Sequence, residues 1–264
     1  MESIWKKSVA LPERPRLEGE ISTDVLVIGG GLAGVLCAHR LQSAGVDCVV
    51  LEAERTGAGV TGNTTAKVSA AHGLIYADLL KKFGRERAAL YYKAQRRAIE
   101  SYRRLCKDVA CDFEQKDAYI YTRTDREALE NELAALNALG VAAEWEQDLP
   151  LPFSVAGAVR YRGQAQLHPL KLLAAISAPL RIFEQSRVVD LTPDCAITAH
   201  GRVRAKKIVV ATHFPFLNKH GGYFLKQYQH RSYVLALENA PLFDGMYLDG
   251  SGDGLSFRTY RIFC

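Results

Sequence analysis

Val25 to Ile28 is an unbroken aliphatic run, the pattern of a strand buried on both faces. Gly29–Gly31 interrupts it. Apolar positions then resume from Leu32 to Ala44 and stop at Gly45, which predicts a helix closed by glycine. Val46 to Glu52 repeats the buried-strand pattern. Strand, glycine turn, helix, strand makes a βαβ unit, so the expected fold class is α/β with a parallel sheet.

Residues 1–22, with Pro12 and Pro15 in a charged stretch, read as an irregular lead-in. From Arg55 to Gly73 the composition turns to Gly, Thr, Asn and Ser, a long polar loop of the kind that is usually functional. Tyr91, Ala94, Ala98, Tyr102 and Leu105 recur at helical spacing and predict a helix over 84–107. A strand is expected over 118–122, a helix over 125–139, and a boundary at Pro150 and Pro152. Further on, 158–162 reads as a strand and 168–178 as a helix with Pro169 near its start. Residues 187–191 and 207–211 read as β segments, and 232–238 as a half-buried strand. The stretches 246–248 and 255–260 form a hairpin around Asp249-Gly-Ser-Gly-Asp-Gly254.

Composition narrows the class. The 264 residues are 48% hydrophobic and 24% charged, which excludes a disordered or fibrous chain. The net charge of +5 is spread along the sequence, against a nucleic-acid partner, which would need a concentrated basic face. Six cysteines (Cys37, Cys48, Cys106, Cys111, Cys195, Cys264) form no CxxC pair and read as reduced thiols in a cytoplasmic protein. No HExxH or Cys/His cluster suggests a metal. No signal peptide is expected, and the longest apolar run, Val25 to Ala38, is 14 residues with four glycines, too short to span a bilayer.

The candidate chemistry sits in the first turn. Gly29, Gly31 and Gly34 form a GxGxxG that follows a strand and opens a helix: a tight turn, close backbone approach to a pyrophosphate, and close helix packing. The helix N-terminus offers free N–H groups to phosphate. Glu52, 18 residues after Gly34, ends the second strand, where a carboxylate accepts both hydroxyls of an adenosine ribose and repels a 2′-phosphate. NADP is disfavoured, and NAD and FAD both stay open. Gly57-Ala-Gly-Val-Thr-Gly62 has Asn63 where a P-loop carries lysine, and Ser251 lacks the strand-to-helix turn of a hydrolase nucleophile.

Val27-Ile-Gly-Gly-Gly-Leu-Ala-Gly34 followed by Leu51-Glu-Ala-Glu-Arg-Thr-Gly-Ala-Gly59 resembles the D-amino-acid-oxidase-like FAD-dependent oxidoreductases. Thr61-Gly-Asn-Thr-Thr-Ala-Lys-Val-Ser-Ala-Ala-His-Gly73 is similar to the branch often fused to a C-terminal Rieske domain. Gln166-Leu-His-Pro-Leu-Lys171, Ala211-Thr-His-Phe-Pro-Phe216, Gln229–Leu237 and Ser256-Phe-Arg-Thr-Tyr260 fit the same branch. The resemblance implies an extended FAD, with Gly29, Gly31, Leu32, Ala33 and Gly34 at the pyrophosphate and Glu52 and Ala53 at the ribose. Thr61, Gly62, Thr64, Thr65 and Lys67 would pass beside the flavin ring. Val188 or Val189 would offer backbone to the adenine, and Ala211 and Thr212 would lie beside the nucleotide. It also implies oxidation of an amine or amino acid by hydride transfer to the flavin, with the electron acceptor open. Lys67 is the first catalytic candidate, with Arg258, able to pair a substrate carboxylate, and Tyr260 beside it; Arg231 and Tyr233 would face substrate on the same later strands. His72 is a weaker candidate, and His168 is expected to be a helix-start residue.

The family pattern continues beyond Tyr260 through further substrate-domain strands and a late glycine segment. The expectation is therefore a C-terminally truncated chain with impaired turnover and no Rieske cluster of its own. Its FAD-binding Rossmann-like domain would be discontinuous (22–110 and 152–217), beside a partial α+β substrate domain (111–151 and 218–264). The alternatives are an NAD-dependent dehydrogenase and a non-catalytic nucleotide-binding remnant.

Overall fold

The structure, a computed structural model, describes residues 3–216, 222–252 and 254–260. In chain order the first elements are α1 (Ile4–Ser8), β1 (Gly19–Ile28), α2 (Leu32–Ser43), β2 (Cys48–Leu51), β3 (Lys67–Val68) and α3 (Tyr76–Leu105). Next come β4 (Glu114–Thr122), α4 (Arg126–Ala138), β5 (Ala143–Glu146), β6 (Gly157–Gln166) and α5 (Pro169–Ser177). The remainder are β7 (Arg181–Phe183), β8 (Val188–Leu191), β9 (Cys195–Thr198), β10 (Gly201–Val210), α6 (Tyr223–Lys226), β11 (Met246–Asp249) and β12 (Ser256–Arg258).

The chain divides into two units. The first, residues 1–64 and 168–236, holds a six-stranded sheet in the order β7-β2-β1-β10-β9-β8. Strands β7, β2, β1 and β10 are parallel, and β8–β9–β10 is an antiparallel meander on the same sheet. Its core includes Leu17, Leu26, Ile28, Val49, Leu51 and Val203. Strand β2 is buried at every position, as a continuous apolar run between two parallel neighbours requires.

The sequence-expected irregular lead-in carries structure. Strand β1 starts at Gly19, and α1 docks by three contacts of two side chains: Trp5 Nε1 donates to Thr64 O at 2.7 Å, Lys6 Nζ to Ala58 O at 2.9 Å, and the Trp5 ring meets His168 edge-on. His168 is the helix-start residue expected of it. Its Nδ1 accepts from the Lys171 N–H, which leaves Nε2 to donate to Ser8 Oγ at 2.8 Å.

The second unit, residues 65–167 and 237–264, holds a sheet ordered β12-β11-β4-β6-β3, with β5 also on β6. Helices α3 and α4 pack on it over Tyr76, Ile120, Leu129, Leu136, Val159 and Tyr161. Helix α3 begins at Tyr76, earlier than the spacing predicted, and kinks where Gly84 takes φ 76°. Its N-terminus has no side-chain cap of its own; the buried carboxylate of Glu132 accepts from Tyr76 N (3.0 Å) and Ala77 N (2.9 Å).

The expected boundaries at 110 and 152 fall within this second unit, and 217/218 falls on residues outside those described. Residues 65–110 and 152–167 belong with the second unit because β6 runs antiparallel to β4 along its whole length and α3 packs against α4. A further difference concerns 232–238: the segment pairs with no strand, and Tyr233 is 86% exposed. Arg231 and Tyr233 are therefore exposed positions, not strand positions facing a pocket.

Candidate functional site: a dinucleotide turn and a buried cationic pair

In the first unit β1 hands the chain to α2 through Gly29–Gly31. Gly29 has φ 117°, and a Cβ there would strike Ala211 O, so the β1 turn and the end of β10 touch backbone to backbone. A Cβ on Gly34 would strike Gly29 O, and this bare position lets α2 lie directly on the turn. Ala211 N donates to Ile28 O at 2.8 Å, which fixes that approach from the other side.

Helix α2 is capped by Gly31, which has no side chain to satisfy the first-turn N–H groups, and no acidic residue stands in that turn. Thr61 Oγ1 accepts the Leu32 N–H at 3.0 Å. The positive end of the helix, with Ala33 exposed on it, is thus left for an anion. Glu52 leaves β2 with Oε2 on Gly30 N (2.6 Å) and Oε1 on Glu54 N (2.9 Å). Each oxygen keeps a lone pair for a further donor. Ala53 starts the bend that follows.

The polar loop is also built in this unit. Buried Gly57 packs against Leu170 and Leu173, and a Cβ on Gly62 would meet Gly57 O at 2.7 Å. On the meander, Val188 is buried and Val189 is 62% exposed at the register shift between β8 and β9. Such a shift frees backbone groups from the ladder. Thr212 Oγ1 bonds to Phe214 O, just past β10.

The second unit gathers Thr65, Lys67, Arg258 and Tyr260. Lys67 Nζ donates to Tyr247 O at 2.8 Å and to Ser256 Oγ, which uses two of its three N–H groups. Burial, reinforced by the nearby Arg258 cation, brings its pKa down to about 7. Arg258 Nη1 donates to the carbonyls of Thr65, Ala66 (3.1 Å) and Leu167 (3.3 Å). Tyr260 OH donates to Asp112 Oδ2 at 2.7 Å, and its ring lies 5.9 Å from the Arg258 guanidinium.

Tyr247, Ser256 and Asp112 were not legible as site residues. Tyr247 contributes only a carbonyl, which has no sequence signature, and the other two act through pairings set by the β11–β12 hairpin. His72 is exposed. Ser251 donates from N and Oγ to Asp249 Oδ1 and is the turn residue expected.

The pattern of the "FAD dependent oxidoreductase" family matches residues 24–261, and the chain belongs to that family. Its cofactor is FAD, and the NAD-linked alternative gives way. The chain is 33% identical over 271 residues to the "Putative Rieske 2Fe-2S iron-sulfur protein YhfW" of Bacillus subtilis (strain 168), covering 97% of this chain and 53% of that protein. It is 28% identical to the gamma-glutamylputrescine oxidoreductase of Escherichia coli (strain K12), covering 74% and 50%. The chain spans about half the length of the curated relatives it matches. Among solved structures, glycine oxidase from Geobacillus kaustophilus superposes with a TM-score of 0.61 at 18% identity, over 87% of this chain and 66% of that one, which shows the shared fold. No helix among the described residues is long and apolar enough to cross a membrane.

Proposed function

We propose that this chain carries the FAD-holding part of an oxidoreductase acting on an amine or amino acid. The observation that carries it is the β1–α2 turn: a bare helix N-terminus, a Gly29–Ala211 backbone contact that excludes any side chain, and Glu52 reaching over the same turn. The relatives support the substrate class, one being a gamma-glutamylputrescine oxidoreductase and one fold neighbour a glycine oxidase.

When bound, FAD supplies the two-electron acceptor chemistry. The chain's own residues divide the remaining work. Gly31, Leu32, Ala33 and Gly34 present the helix end to the pyrophosphate, and Glu52 accepts the ribose hydroxyls beside Ala53. The backbone at Val188–Val189 serves the adenine, and Ala211 and Thr212 border the nucleotide. Thr61 holds the helix end, and Gly62 and Thr64 shape the loop that runs on to Thr65. Lys67 is the proton-handling group: with a pKa of about 7 it takes up or gives up a proton at Nζ near neutrality. Arg258 is a positioning residue, because its Nη1 holds the carbonyls of Thr65 and Ala66 and hence the start of β3. Tyr260, anchored on Asp112, steadies Arg258.

The test is anaerobic mixing of the FAD-loaded protein with primary and secondary amines and amino acids. Bleaching of the flavin's visible absorption by one of them supports the reading; a loaded protein that no amine or amino acid reduces contradicts it.

A further inference from the structure

Cys106 closes α3 as its C-cap, its N–H bonded to Tyr102 O at 2.8 Å, and the Cys111 N–H turns back to Val109 O at 2.8 Å. The turn brings the two side chains together, and the Cys106 and Cys111 thiols are hydrogen-bonded to each other. Both are buried, at 7% and 1% exposure, yet both line an open groove of about 550 Å³ with Arg103, Arg104 and Phe113. Among the described residues no third His, Cys, Asp or Glu joins them as a metal-ligating group. The residue after the pair, Asp112, sits at φ 50° and accepts the Tyr260 hydroxyl.

We propose that Cys106 and Cys111 are a peroxide-oxidised, reversible disulfide site whose closure resets the turn that presents Asp112 to Tyr260. Two hydrogen-bonded thiols are the kind of neighbours that a disulfide joins. The oxidant is hydrogen peroxide, because at these exposures a bulky organic disulfide has no approach and a molecule of peroxide size does. One of the two sulfurs, as its thiolate, attacks one peroxide oxygen, the O–O bond breaks, and the leaving hydroxide takes up the proton that thiol had released to become water. The other sulfur then displaces hydroxide from the sulfenic acid, and its own proton leaves with that hydroxide as a second water. Two thiols and one peroxide give one disulfide and two waters; the sulfurs lose two electrons and the peroxide gains them.

The hydrogen bond between the two thiols, together with burial, pushes the Cys106 thiol up from its ordinary range. The consequence runs along covalent and hydrogen-bonded links within the second unit: Cys111 to Asp112, Asp112 to Tyr260, and the Tyr260 ring to Arg258.

Trypsin cuts after Lys107, between the two cysteines, so the bond is read directly. After peroxide, peptides 105–107 and 108–116 should stay joined and should separate on reduction. Hydrogen exchange across 256–260 should change on oxidation and revert on reduction. In Cys106→Ser and in Cys111→Ser the remaining cysteine should stop at a sulfenic acid that dimedone traps. Peptides that separate after oxidation, or cysteines paired instead with Cys37, Cys48 or Cys195, would overturn the site. Unchanged exchange at 256–260 would overturn the link to Tyr260.

Discussion

Glu52 Oε2 accepts the Gly30 N–H at 2.6 Å, so the carboxylate that ends β2 is pinned to the turn that ends β1. One side chain thereby sets both the position of a ribose acceptor and the shape of a phosphate turn. Substituting Glu52→Arg removes an ionised acceptor, worth about 1.5–3 kcal/mol per hydrogen bond. FAD affinity, measured by flavin fluorescence, should fall by about 10–100-fold while the far-ultraviolet spectrum stays unchanged; undiminished affinity would remove Glu52 from the ribose.

Gly34→Ala places a methyl against Gly29 O and near Val27 Cγ1. The helix must lift from the turn, at about 1–3 kcal/mol for the overpacking. The urea midpoint should drop and FAD retention should be lost together. An Ala variant that keeps wild-type stability and flavin would show that α2 does not lie on the turn as described.

Lys67 gives a pH signature. Its folded pKa of about 7 lies below its ordinary value, so the unfolded chain binds the proton more tightly. Stability should therefore rise as pH climbs through the window between about 7 and about 10, and burial of the charged form should cost most below it. Comparison of wild type with Lys67→Met at about pH 7 and about pH 9 isolates this contribution, since the other shifted groups are common to both. The Met variant should show the flatter dependence; equal slopes would mean the amine is not desolvated. If Lys67 handles the substrate proton, the same variant should retain FAD but lose about 10²-fold or more in the rate of flavin reduction.

Glu132 holds two backbone N–H groups of α3 and the Tyr161 hydroxyl (3.2 Å) in a fully buried site. Glu132→Ala leaves these donors unsatisfied and should cost about 2–4 kcal/mol in chemical denaturation. Glu132→Gln, which keeps one acceptor oxygen, should cost less. The reverse ranking would contradict the capping role.

The βαβ unit was legible because its glycines, aliphatic runs and acidic residue lie within one contiguous stretch, and each has a single physical use. The same is true of His168, whose place just before Pro169 marks a helix start. Strand β6 was read too short, since Gly163 and Gln164 interrupt the pattern after Arg162. In the structure, the Gln164 side chain is buried and bonded to Ala70 N and Arg162 O. The segment 232–238 alternates like a strand, yet pairing needs a neighbour, and alternation alone does not supply one. Arg258 illustrates the same limit at the site. Its residue type suggested a carboxylate partner, while its place on β12 puts Nη1 against three backbone carbonyls that no motif encodes.

The central claim is that this chain binds FAD on the Gly29–Gly34 turn. The most direct test is the visible spectrum of the purified full chain, read before and after denaturation and removal of the protein. The account predicts a yellow preparation, or one that turns yellow on adding FAD, releasing about one FAD per chain, with the colour lost in Gly34→Ala. A folded, colourless chain that takes up no added FAD would contradict it.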